Sequence, residues 1–89
     1  MNMYVSPTVI SADVDGDVVL LDAKSGDYFG LNPVAARAWA LLTETRDPDL
    51  VHARMLQEFD VDADVLARDL SALWMQLSSA QLVTAGERE

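Results

Sequence analysis

The order of apolar and polar positions in the first third of the chain predicts three β-strands. Residues 9–14, VISADV, alternate weakly between apolar and polar side chains, as a strand with one exposed face does. The Asp-Gly pair at 15–16 suits a two-residue hairpin turn, and residues 17–22, DVVLLD, are an apolar, β-branched run typical of a central strand. After the turn residues 24–26, a third strand is predicted over 28–31, YFGL. Three strands joined by two short turns indicate an antiparallel meander with the third strand at an edge.

Three helices are predicted next, from apolar side chains that recur at helical spacing. The first covers about 33–44, where Asn32 provides a cap and a proline suits the first helical position. The second covers about 48–59 after an Asp-Pro pair, and the third covers about 63–82 with a leucine-rich stripe. This order predicts an α+β fold, a small winged helix-turn-helix in which a three-stranded antiparallel sheet is followed by three helices.

One domain is expected over residues 1–83, because a chain of 89 residues supports a single small core. Residues 84–89, TAGERE, are expected to be a flexible tail. The chain has no cysteine, and its first residues lack the charged start and apolar run of a signal peptide. No apolar stretch has the length of a membrane span. These features favour a cytoplasmic protein without a membrane partner.

Fifteen acidic against six basic residues give a net charge of −9, which repels a phosphate backbone. In a DNA-binding protein of this fold the third helix would read the bases, yet its exposed start carries Asp62, Asp64 and Asp69 against Arg68 alone. A major-groove helix needs Arg, Lys, Asn or Gln. Nucleic acid is therefore not expected as a partner, and the acidity favours solubility or a basic peptide or protein partner.

Patterns for catalysis or metal binding fail when they are compared with the residues. The single histidine, His52, falls beside the core face of the second helix, where a structural role is the usual one. The acidic run from Asp13 does not fit a calcium loop, because its sixth position is Val18 and its twelfth is Lys24. No glycine-rich phosphate loop is present. The chain is expected not to be an enzyme, with no catalytic residue, metal or cofactor.

The third strand suggests a binding function. An edge strand exposes unpaired backbone groups, and residues 28–31 contain no charge that would deter a further strand. A peptide could pair with Tyr28, Phe29, Gly30 and Leu31 by β-augmentation, and Gly30 would allow close approach. The alternative is equally open from the residues: a short outer strand of the wing, with Phe29 or Tyr28 in the core.

The third helix offers a second wall for such a site. One flank of its leucine stripe carries Val65, Asp69, Ala72 and Gln76, with Leu73 beside them. Small and apolar positions leave room for a groove, and Asp69 could accept hydrogen bonds from a peptide. The other flank carries Ala67, Ser71, Trp74 and Ser78. The residues do not decide which flank faces the edge strand.

The run LLDAKSGDYFGLNPVAARAWALL, residues 20–42, resembles the PqqD-like family of precursor-peptide recognition domains. The resemblance consists of an apolar strand ending in Asp, a turn with Gly, an aromatic residue, Leu-Asn, and a helix bearing a tryptophan. Here these are Leu20, Leu21, Asp22, Gly26, Tyr28, Leu31, Asn32 and Trp39. The family often has a glycine where this chain has Gln81, and another in the loop that corresponds to residues 43–47.

The resemblance implies a function as well as the winged fold. Within the family, the chain looks most like the discrete leader-binding proteins of lasso-peptide biosynthesis. In these proteins the precursor's leader pairs with the third strand and lies against the third helix. A separate leader peptidase then receives the precursor, and a cyclase closes the ring. The peptide-binding residues implied are Tyr28, Phe29, Gly30, Leu31, Val65, Asp69, Ala72, Leu73 and Gln76. An accessory peptide chaperone for another modifying enzyme, such as a radical SAM enzyme, is the alternative.

Overall fold

The computed structural model describes residues 2–15 and 17–86, and the predicted fold class is confirmed in them. A three-stranded antiparallel sheet precedes three helices, as expected of the α+β class. The elements are β1 (Asn2–Val5), β2 (Val9–Val14), β3 (Asp17–Asp22), β4 (Tyr28–Leu31), α1 (Pro33–Thr45), α2 (Pro48–Glu58), α3 (Ala63–Ser79) and β5 (Val83–Gly86). None of the helices in the described residues is both long and apolar enough to cross a membrane.

The three-stranded sheet has the order β2-β3-β4, so the predicted central and edge strands are confirmed. Val14 pairs with Asp17, which leaves the two-residue turn that the Asp-Gly pair predicted. Asp15 has a φ of 54°, the left-handed conformation that such hairpin turns need. The sheet therefore has two outer strands, β2 on one side and β4 on the other.

Each helix begins at the cap that the sequence predicted. The side-chain oxygen of Asn32 accepts a hydrogen bond of 2.8 Å from the Ala35 N–H, which opens α1 directly after β4. Asp47 caps α2 and Asp62 caps α3 in the same manner. Because one residue separates β4 from α1, the first turn of α1 is held beside the end of the edge strand.

The third helix is shorter than predicted. It ends at Ser79 rather than near residue 82, because Gln81 adopts a left-handed φ of 63°. The N–H of Leu82 then donates to the carbonyl of Leu77 at 2.9 Å, and Leu82 turns into the core. Arg46, at the end of α1, has a φ of 59°. A left-handed residue other than glycine costs roughly 1–2 kcal/mol, so a glycine would fit both loops with less strain.

A two-stranded sheet of β1 and β5 was not predicted. Asn2 pairs with Gly86 and Val5 with Val83, while Met3 and Val83 are buried in the core. The prediction of a tail from residue 84 is therefore wrong for residues 84–86, which hydrogen-bond to β1. The rest of that predicted tail, residues 87–89, lies outside the described residues.

The core lies between the sheet, the three helices and the β1–β5 pair. Leu20 of β3 and Leu31 of β4 face it, as do Leu66, Leu70 and Leu77 of α3. The inward stripe of α3 fixes the rotation of this helix. One of its flanks consequently faces the open edge of β4, and the other faces the β1–β5 sheet.

Candidate functional site

Two residues of β4 have backbone N–H and C=O groups that point away from the neighbouring strand β3. The N–H of Asp22 donates to the carbonyl of Asp27 at 2.9 Å, which marks a hydrogen-bonded pair in the β3–β4 ladder. Because such pairs alternate along antiparallel strands, the register makes Phe29 and Leu31 the next residues bonded to β3. The N–H and C=O groups of Tyr28 and Gly30 therefore point away from β3. Within the described residues, no strand pairs with β4 on that side.

The side chains of β4 alternate between the two faces of the sheet. Leu31 is buried and Phe29 is half-buried on the core face, whereas Tyr28 is 78% exposed on the outer face. From the sequence, either Phe29 or Tyr28 could have belonged to the core. In the structure Phe29 packs against the core and Tyr28 lies outside it. A Cβ atom added to Gly30 would meet nothing within 4 Å, so the space beside this residue is open.

A groove of about 470 Å³ lies between the edge of β4 and helix α3. Seven of the nine residues implied by the resemblance line it: Phe29, Gly30, Leu31, Asp69, Ala72, Leu73 and Gln76. Tyr28 and Val65 are not part of the lining. The structure thus brings most of the implied residues together, and their role in peptide binding stays a prediction.

Five further residues line the groove and were not identified from the sequence. They are Asn32, Val34, Ala35, Leu66 and Leu70. The first three follow β4 directly in the chain, and their position could have been inferred from the tight junction between β4 and α1. The two leucines had been assigned only to the core stripe of α3.

The structure also decides which flank of α3 faces β4. Asp69, Ala72 and Gln76 line the groove beside the edge strand. The other flank lines a separate cavity, in which Ser71, Trp74 and Ser78 lie with Met3 and Ala85 of the β1–β5 sheet. Trp74 is half-buried there and packs against the core. The two flanks of α3 therefore belong to different surfaces.

The groove combines an apolar floor with few polar groups. Leu31, Leu66 and Leu70 are each at most 5% exposed and form the floor. The polar lining residues are Asn32, Asp69 and Gln76, and Asn32 already caps α1. No histidine, serine or lysine lines the groove, and no group of three or more acidic or histidine side chains in the described residues could hold a metal ion. The groove therefore presents apolar side chains beside the outward backbone groups of Gly30.

His52 has the structural position that the sequence suggested. Its Nε2 atom lies 3.0 Å from the carbonyl oxygen of Ala63, to which a protonated ring nitrogen donates. The contact joins α2 to the first residue of α3. It helps to hold the helix that forms the groove wall.

Asp22 organises the turn that leads into β4. Its carboxylate accepts hydrogen bonds from the hydroxyl of Thr8 at 2.7 Å, the N–H of Lys24 at 3.0 Å and the hydroxyl of Ser25 at 3.2 Å. Gly26 completes the turn with a φ of 80°. These bonds, led by that from Thr8, hold the pKa of the Asp22 carboxyl below its ordinary value. Asp22, the last residue of β3, thus anchors the turn that leads into the edge strand.

The thermal stability of the protein should depend on the ionisation of Asp22. Because its pKa is lower in the folded chain, Asp22 contributes stability that is complete above the unfolded-chain pKa of about 3.9. That contribution is lost as the pH falls through the lower folded-state pKa. An Asp22→Asn protein should have a lower Tm at pH 7, and its Tm should fall less steeply than that of the wild type below about pH 4.

Thermal unfolding followed by circular dichroism between pH 7 and acid tests this expectation. Asp27→Asn is the matched control, because it removes the same charge from the same turn at an exposed position. Parallel Tm curves for wild type and Asp22→Asn would contradict the assigned role.

Two solved structures resemble the chain over nearly its full length, whereas no curated protein matches it. The first is TbiB1 in complex with the TbiA(beta) leader peptide, which shares 34% sequence identity and a TM-score of 0.85. The match covers 96% of this chain and 99% of the TbiB1 chain. The second is a lasso peptide synthetase B1 complexed with the leader peptide, with 28% identity, a TM-score of 0.85, and coverage of 96% and 100%.

The family assignment rests on the part of the chain that contains the groove. A family model described as coenzyme PQQ synthesis protein D (PqqD) matches residues 17–83. This segment runs from β3 to the first residue of β5 and includes every residue that lines the groove. The family suggested by residues 20–42 is confirmed, and the chain belongs to the PqqD family.

Proposed function

We propose that this chain is a non-catalytic protein that binds the leader segment of a ribosomally synthesised precursor peptide by adding it as a strand to β4. The observation that carries the proposal is the open edge of β4 beside the groove that it forms with α3. It is supported by the similarity to two proteins that were solved with leader peptides. The groove lining offers backbone groups and an apolar floor, which suits recognition of an extended peptide.

The outward groups of Tyr28 and Gly30 define the contacts that a bound peptide makes. They supply two donors and two acceptors, and each hydrogen bond contributes about 0.5–1.5 kcal/mol net. Alternate side chains of the peptide point toward α3 and enter the groove, while the others lie on the outer face of the sheet. Main-chain pairing fixes the register, and the groove selects side chains.

We further propose that the bound precursor is delivered to a separate leader peptidase of a lasso-peptide pathway. A tethered substrate reaches its enzyme at a high effective concentration, so binding alone can accelerate cleavage. The chain then needs no catalytic group of its own. The cyclase of the pathway would act after the leader has been removed.

Fluorescence anisotropy with a labelled leader peptide tests the binding step. The probe is the leader of the precursor encoded beside this gene, with a scrambled peptide of the same composition as control. Saturable binding of the leader but not of the scrambled peptide is expected. An absence of binding by protein with a cooperative thermal transition would overturn the proposal.

The delivery step has a separate test. The rate of leader cleavage by the neighbouring peptidase is measured with and without this chain. Faster cleavage is expected only with a chain that binds the leader. Equal rates would remove the delivery role and leave the binding role intact.

A further inference from the structure

Among the described residues, Asp69 is the one charged side chain that lines the groove. It lies on α3 between the buried Leu66 and Leu70, and its exposed carboxylate has no hydrogen bond or ion pair with the described residues. Two other acidic side chains are already paired with arginines. Glu58 binds Arg37 at 2.7 Å, and Glu44 binds Arg54 at 3.1 Å. The neighbour Arg68 projects elsewhere, since adjacent residues on a helix do not face each other.

A peptide strand added to β4 changes the surroundings of Asp69. The strand covers the groove and displaces water from the space beside Asp69, which is exposed in the free protein. A carboxylate that loses water without gaining a partner is unfavourable. A ligand with an acidic or apolar side chain at this position leaves Asp69 unpaired, whereas a cation compensates for the lost hydration.

We infer that the peptide bound in this groove carries a lysine or arginine whose side chain pairs with the Asp69 carboxylate. The inference rests on the proposed function and names a chemical class of ligand for the same site. Asp69 then acts as a specificity-determining residue, because it favours a cation and disfavours an anion at one peptide position. The net charge of −9 adds a long-range attraction for the same basic peptides.

A double-mutant cycle tests the pairing. The probes are the leader peptide encoded beside this gene and versions of it in which each lysine or arginine is singly changed to glutamine. Each probe is titrated against the wild type and against Asp69→Asn. Asp64→Asn is the matched control, since it removes one charge from the same helix outside the groove. Affinities are measured at low and at physiological salt, where screening separates contact pairs from distant charges.

One peptide substitution should lower the affinity for the wild type about fivefold and have little effect on Asp69→Asn. The same substitution should retain its full effect on Asp64→Asn. If every glutamine peptide loses the same affinity for wild type and Asp69→Asn while the parent peptide binds, the pairing is overturned and the proposed function stands. If the parent peptide does not bind the wild type, both fall.

Discussion

A Gly30→Pro protein should fold and yet bind the leader peptide at least tenfold more weakly than the wild type. The substitution removes an N–H that points away from β3, so the ladder of the folded protein keeps its hydrogen bonds. The carbonyl of the incoming peptide is left without a donor, which costs about 1–3 kcal/mol. The proline ring also occupies the open space beside Gly30, where the peptide backbone must approach. Anisotropy with the labelled leader measures the loss.

Two controls separate these effects. Gly30→Ala keeps the N–H and adds a methyl group where no atom lies within 4 Å, so its stability should equal or exceed that of the wild type. Ser11→Pro makes the same chemical change on β2, whose register places the Ser11 N–H at the opposite edge of the sheet. It should bind the leader normally. Unchanged affinity in a folded Gly30→Pro protein would end the strand-addition proposal.

An Ala72→Phe protein should lose leader binding by more than tenfold with little change in stability. Ala72 is exposed on the wall of the groove, between Asp69 and Gln76. A phenylalanine there fills volume that the side chains of the peptide need, and the exposed position keeps the helix core unaltered. The expected cost to the helix is about 0.5 kcal/mol from intrinsic propensity.

Ala67→Phe is the matched control for this variant. Ala67 lies on the same helix and is also exposed, but it lines the cavity beside His52 and Trp74 rather than the groove. The change therefore has the same propensity cost without obstructing the peptide. Equal affinities for the two variants would show that the groove between β4 and α3 is not the binding surface.

Local patterns in the sequence are sufficient to predict β2, β3 and β4 with their observed bounds. The Asp-Gly turn and the apolar run of β3 fix the register of the first hairpin, because the two strands are joined by a turn of only two residues. Phe29, Gly30 and Leu31 could be assigned to an edge strand, because two short turns in succession place the third strand on the outside of the sheet. The helix starts were equally clear, since each has a cap residue before it.

The flank of α3 that faces the groove could not be predicted, because two flanks of similar composition border one leucine stripe. Their assignment depends on how Leu66, Leu70 and Leu77 pack against elements far away in the chain. The β1–β5 sheet was missed for a related reason. Its strands have four residues each and are far apart in the sequence, so no local pattern of apolar and polar residues predicts that they pair.

The pairing of β1 with β5 has a consequence for how this domain can be connected. Asn2 and Gly86 are register partners, so the two ends of the described fold lie side by side. Met3 and Ala85 border the cavity on the far flank of α3, away from the groove. A fold whose ends meet away from the groove can be inserted into a loop of a host protein without covering β4. The outer edge of β4 then stays accessible when another domain is joined to either end.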